Sequence, residues 1–268
     1  MIAAPRTSIA ARTVLQKVAL LAYLACCFSL RAAEPAGTHD VAALMEKGDR
    51  HDGRLEASEA LACYREVEKQ LPNDADLLVR IARQYRHLMA DARGEEEKLK
   101  LGRTAIAYSE KAAQLGPRNA EAQLAPAISY GKLVELLSSR EQVQASAIIK
   151  ACSERAVKLD AGNDLAWHIL GRWHRVMADT SGVKRAMAGL LFGTLEKGSI
   201  DEALRCLHKA AALAPARLMH EYELGRAYLV KGDEPQARLH FQKAASMRCT
   251  DKGDAEAVAE AQAALAKL

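Results

Sequence analysis

The chain has 268 residues, of which 50% are apolar and 4% aromatic, and its 38 basic residues are nearly matched by 34 acidic ones. That length and apolar content allow a large core, as one or two compact domains or as one solenoid. A net charge of +4, interleaved along the sequence, excludes the concentrated basic patch of a nucleic-acid binder. Abundant alanine with few alternating β-branched runs excludes a sheet protein and leaves an all-α class.

Residues 1–33 stand apart: Arg6, Arg12 and Lys17 precede an apolar run over residues 18–30, and no acid occurs before Glu34. A basic start, an apolar middle and the small residues Ala32 and Ala33 have the layout of a secretory signal, although Leu30 and Arg31 sit where the cleavage motif wants a small side chain. Export, with a place in the envelope or periplasm, is the preferred reading. The alternatives are an uncleaved anchor giving membrane association through the N-terminus, or a mitochondrial targeting segment on a cytosol-facing protein. Residues 34–40 read as a linker.

Stacking the segments that end near each proline exposes a repeat. Ala60, Tyr64 and Val67 lead to Pro72; Ala105, Ser109 and Ala112 to Pro117; Ala203, Leu207 and Ala210 to Pro215; Ala237, Phe241 and Ala244 run to a divergent end. Ile149, Ser153 and Ala156 keep the spacing but reach Ala161 in place of proline. Small residues let two helices approach, the middle residue fills the groove beside them, and proline ends the helix because it has no N–H to donate. This is the order of the second helix of a tetratricopeptide repeat.

Upstream of each lies a matching first helix. Leu224-Gly225 with Tyr228, Leu170-Gly171 with Trp167 and His174, and Ile81-Ala82 with Tyr85 fit best. Gln123, Ala127 and Tyr130 are interrupted by Pro126, and Leu44, Gly48 and His51 fit least. Gly or Ala at the eighth helix position is a contact requirement, since the neighbouring helix passes there. The expected fold is therefore a tetratricopeptide-like α-solenoid of about five helical hairpins over residues 41–250, divided at 41–74, 75–119, 120–163, 164–217 and 218–250. An alanine-rich helix within 251–268 would cap the last apolar face.

The period exceeds the usual one in the middle three hairpins, and the extra length lies at 86–104, 131–148 and 176–200. Each stretch either lengthens helices or projects. In the last, Lys184, Arg185, Leu191 and Phe192 are candidate contact residues of a partner-binding or membrane-touching amphipathic piece. The competing reading is that Met187, Leu190, Leu191 and Phe192 dock back on the solenoid.

No nucleophile–base pair, metal-spaced His/Cys/Glu set or phosphate-cradling glycine loop is present, so no catalytic residue, metal or cofactor is assigned and an enzyme is not expected. Cys63, Cys152 and Cys206 share one repeat position, too far apart for disulfides, and read as small packing residues. Trp167 and His174 read as core-facing.

One constellation does suggest binding. Positions 2, 5, 9 and 12 of each first helix share the concave face. They place Arg83 and Arg86, then His168, Arg172 and Arg175, then Tyr222 and Arg226 along one groove. Arginine forks suit carboxylates, so the expected partner is an acidic protein or peptide. Alternatively these arginines are solvated, or pair internally with Glu154, Glu221 or Glu223. Asp49 and Asp52 break the pattern in the first hairpin.

With Trp167 to Trp173, the stretch from Lys184-Arg185 to Leu191-Phe192-Gly193, Glu202-Ala203-Leu204, and Leu224-Gly225-Arg226 with Tyr228 in view, the chain resembles the regulator of microtubule dynamics family over roughly residues 40–247. The resemblance implies an all-helical adaptor and, in animal members, association with microtubules, spindle poles or mitochondria. For this chain, microtubules are an expected partner only if it faces the cytosol, where a basic groove would meet acidic tubulin tails. The expected function is thus a non-enzymatic interaction scaffold. The alternative is a membrane-tethered structural or lipid-contact protein acting through residues 176–200.

Overall fold

The computed structural model describes residues 36–192 and 195–268, without the side chains of residues 36–39, Lys184 and Phe192. The leader at 1–33 lies outside the described residues. The chain divides into two compact units after Ala43; only the start of one helix is described in the first, and all that follows concerns the second, Leu44–Leu268.

The described residues form twelve α-helices, with no strand among them: α1 (Ala36–Asp52), α2 (Ala57–Gln70), α3 (Ala75–Asp91), α4 (Glu95–Leu115), α5 (Ala120–Leu133), α6 (Ser139–Leu159), α7 (Asp164–Asp179), α8 (Gly182–Phe192), α9 (Ile200–Leu213), α10 (Leu218–Lys231), α11 (Glu234–Ser246) and α12 (Asp254–Leu265). Side-chain caps fix where many begin. Asp74, Asn119, Asn163, Ser199 and Asp233 each accept a hydrogen bond from the backbone N–H three residues on, and Ser138 with Glu141 forms a capping box on α6. Each such cap contributes about 1 kcal/mol by satisfying an orphan donor. Pro72, Pro117 and Pro215 stand just beyond α2, α4 and α9.

The helices pair as five antiparallel hairpins, α1/α2, α3/α4, α5/α6, α7/α9 and α10/α11, followed by α12. Two packing solutions occur at their closest approach. In α7 and α10 the eighth residue is glycine, as is the equivalent repeat position of α1, and a Cβ there would lie 2.5 Å from Tyr64 on Gly48, 2.7 Å from Leu207 on Gly171 and 2.6 Å from Phe241 on Gly225. In α3 and α5 that residue is Ala82 or Ala127, and the corresponding groove residue is Ser109 or Ser153. Both serines turn their hydroxyls onto their own helix, donating to Ile106 O at 2.8 Å and Ile149 O at 2.7 Å. A methyl on one helix is thus offset by a smaller side chain on the other, so the helices stay close in both cases.

The extra length takes two forms. Residues 86–104 and 131–148 lengthen helices, giving α4 and α6 21 residues each, whereas 176–200 holds the additional helix α8. α12 lays Ala257 and Ala261 against Leu218, Tyr222 and Phe241, covering the last hairpin's apolar face. One core expectation is corrected: the buried tryptophan is Trp173, at 4% exposure, whose Nε1 donates to Ser146 O at 3.0 Å. Trp167 is only half-buried, because its indole turns back to donate to Ala161 O at the hairpin junction, beneath the Arg205 guanidinium.

Candidate concave binding wall

Positions 9 and 12 of the first helices supply Asp49 and Asp52, Arg83 and Arg86, Ile128 and Gly131, Arg172 and Arg175, then Arg226 and Leu229. The signs change along this series, and so does the depth.

At the α1–α3 junction, Arg80 Nε reaches Asp49 Oδ1 at 2.9 Å and Arg83 Nε lies 3.5 Å from Asp52 Oδ1. Asp49 also accepts from the Tyr64 hydroxyl at 2.7 Å. Burial alone would raise the Asp49 carboxyl, but the hydrogen bonds from Arg80 and Tyr64 outweigh it and hold the carboxyl below its usual range. The acids that interrupt the basic series therefore serve as partners for the next helix.

At the α7–α10 junction the pairing is buried. Glu223, 1% exposed, accepts from Arg175 Nε at 2.8 Å, and Arg172 and Arg226 each approach its other oxygen to 3.7 Å. Desolvation would raise this carboxyl; Arg175, then Arg172, His168 and Arg226, overcome it and hold it near about 2. Arg175 spends its fork inside the fold. Arg172 and Arg226 keep about a third of their side-chain surface in the groove, with Arg226 over the Tyr222 ring. Tyr222 is 5% exposed and donates to Glu260 of α12.

His168 is also withdrawn from solvent: its Nδ1 lies 3.0 Å from Nδ1 of His220, whose Nε2 lies 2.9 Å from Asp164 Oδ2. One of the two Nδ1 atoms carries the proton of this contact and the other accepts it. Burial first, and His220 second, push His168 down to about 3.

Between these junctions, hairpin 3 is different. Ile128 and Gly131 carry no charge, and beside them opens a cavity of about 870 Å³ with Trp173, Ile169 and Val143 in its wall. Lys132, Arg172 and Arg226 line its rim. Arg86, 9% exposed, donates to Ser129 Oγ at 3.1 Å, and neither it nor Lys132 has a carboxylate within ion-pair distance among the described residues. Burial, then Arg83, push Arg86 down to about 10; burial, then Arg172 and Arg86, push Lys132 down. Arg86 is thus a buried cation and Lys132 an exposed one, both without an ion-pair partner among the described residues. Lys132 is absent from the sequence expectation because it stands one residue past position 12; the adjoining glycine is the only signal that could have found it.

In the 176–200 region, Arg185 Nη2 donates to Met177 O and Thr180 O at 2.8 Å each, closing the end of α7. Met187 and Leu191 line the cavity, yet are 56% and 65% exposed, and Leu190 is 87% exposed. The cluster therefore docks only along one edge. The Lys184 and Phe192 side chains lie outside the described residues. Among the described residues no group of three His, Cys, Asp or Glu side chains could hold a metal, and all four cysteines are free.

Comparison with known proteins gives a consistent family. The Caenorhabditis elegans regulator of microtubule dynamics protein 1 is 26% identical over 228 residues, covering 83% of this chain and all of that one. The Bos taurus protein of the same name is 28% identical over 196 residues, 72% of this chain and 58% of its own length. Among solved structures, a thermophilic TPR protein of Thermus thermophilus superposes with a TM-score of 0.59 at 17% identity, over 83% of this chain and 99% of that one, a likeness of fold. Residues 44–268 match the family described as regulator of microtubule dynamics protein 1-3, and the chain belongs to that family.

Proposed function

We propose that the protein is a non-enzymatic interaction scaffold whose concave wall binds an acidic segment of a partner protein. The observation that carries this reading is the buried Arg86 together with Lys132, exposed at the cavity rim, neither with a carboxylate within ion-pair distance among the described residues, and with Arg172 and Arg226 on the same rim as Lys132. A ligand carboxylate there would relieve mutual repulsion among three guanidinium groups and an ammonium, and it would gain charge-assisted hydrogen bonds. The family's printed names speak of microtubules, and an acidic tubulin tail is one ligand of this chemistry if the chain faces the cytosol. The leader would instead send the chain to the envelope, and N-terminal sequencing of fractionated protein decides between them. A fluorescent glutamate-rich peptide should bind with an affinity that falls steeply with salt. Lys132→Gln should weaken that binding at least tenfold while the thermal unfolding transition is kept. Undiminished binding by this variant refutes the reading.

A second reading is favoured by α8. Its exposed Val183, Leu190 and Leu191 beside an apolar-walled cavity suit contact with lipid. No described helix is long and apolar enough to cross a membrane. Liposome flotation with and without residues 182–192 separates the two: loss of flotation on deletion supports lipid contact, and unchanged flotation removes it.

A further inference from the structure

The connection between α11 and α12 does not simply turn. It reaches across the concave side to hairpins that are distant in sequence. Lys252 Nζ donates to Asp91 Oδ2, at the end of α3, at 2.7 Å across 161 residues of sequence. The place a Cβ would take on Gly253 lies 3.9 Å from Lys132 Nζ. Asp251 accepts from Arg217 Nη1 at 2.9 Å, and Glu260 accepts from the Tyr222 hydroxyl beside Arg226. Asp251 and Glu256 both act electrostatically on Lys132. The segment is built to hold this path: Gly253 adopts φ +95°, and the buried Asp254 carboxylate accepts from the N–H groups of Thr250 and Asp251 at 2.8 Å each.

Three carboxylates of the chain's own C-terminal region thus stand beside these cations, Asp251 and Glu256 near Lys132 and Glu260 near Arg226, while Asp254 holds the turn that carries them. We propose that residues 250–260 are a built-in acidic occupant of this wall, a strap that an external acidic ligand must displace. The inference rests on the acidic-ligand reading above and adds its regulation. The strap is weakly tied at one end and firmly at the other. Lys252–Asp91 and Arg217–Asp251 are partly exposed ion pairs, of a class that holds by at most about 1 kcal/mol each. α12, by contrast, is docked through Ala257 and Ala261 against Phe241. Residues 250–253 can therefore swing off Lys132 while α12 stays in place.

The test uses the full chain with Cys26, Cys27 and Cys249 changed to Ser, carrying Asp91→Cys and Lys252→Cys. The two thiols are joined by a short or by a long flexible bis-maleimide, and binding of the glutamate-rich peptide is followed by fluorescence anisotropy. The short linker should weaken binding about tenfold or more, because affinity scales with the fraction of open strap. The long linker should leave affinity at the unlinked level. Equal affinity in all three states overturns the strap and leaves the acidic-ligand reading standing. Loss with both linkers marks damage by the modification and also overturns it. Absence of binding in the unlinked protein overturns both the ligand reading and the strap.

Discussion

Two stretches of the concave wall solve the same problem differently. Where α1 meets α3, Asp49 and Asp52 meet Arg80 and Arg83 with much of the charge still in water. Where α7 meets α10, Glu223 is held by three arginines with almost none of it exposed. The first arrangement adds little to stability, since water screens the attraction and ordering two long side chains costs entropy. In the second, desolvation is offset only by the full set of partners, so losing one member leaves a buried charge. Counting arginines on a groove therefore says little about charge available to a ligand. The available charge lies between the two stretches, on Arg86 and Lys132.

The sharpest way to break this contrast is Glu223→Ala, which strands Arg175 and should cost about 3–5 kcal/mol in the denaturant unfolding midpoint. Lowering pH comes next. The unfolded chain protonates a histidine near 6.5, whereas folded His87 waits until about 4 and His168 until about 3. Protons then favour the unfolded state, so stability falls as pH drops from about 6.5, by up to about 1.4 kcal/mol per pH unit for each ring. Below about 4.5 the unfolded chain also protonates Glu223 while the folded carboxylate stays charged down to about 2, which adds to the fall. His168→Gln should flatten this profile more than His87→Gln near pH 3.5. Lys132→Gln should raise the melting temperature slightly, because it removes a cation that faces Arg172 and Arg86. Arg80→Gln should change stability by less than about 1 kcal/mol. An equal cost for Arg80→Gln and Glu223→Ala would erase the distinction between the two stretches.

The hairpins were readable because their constraints are local. Gly171 and Gly225 announce a close helix approach, and Leu207 and Phe241 are the side chains that need the space. Helical period also placed Arg83, Arg172 and Arg226 on the groove side. Period sets direction, however, not depth. Arg172 and Arg175 lie on the same face of α7, yet Arg175 is 4% exposed because Glu223 of the next hairpin draws it inward. Trp167 was misplaced in the core for a related reason, since its indole finds its acceptor outside the helix period. The strap was illegible, as nothing near Lys252 in sequence points to Asp91. α8 was visible as an apolar run, but its one-edged docking follows from the cavity beside it.

The tie between Asp91 and Lys252 also bears on how the array comes apart. A row of hairpins touching only their neighbours can fray from either end, one unit at a time. Here the last connection is fastened to the second hairpin, so hairpins 2 to 5 and α12 share a contact of long sequence separation, whose closure entropy is recovered only when the units between are folded. α1 and α2 lie outside that circuit. Amide hydrogen exchange should therefore show them opening first, followed by the enclosed hairpins as a more cooperative block.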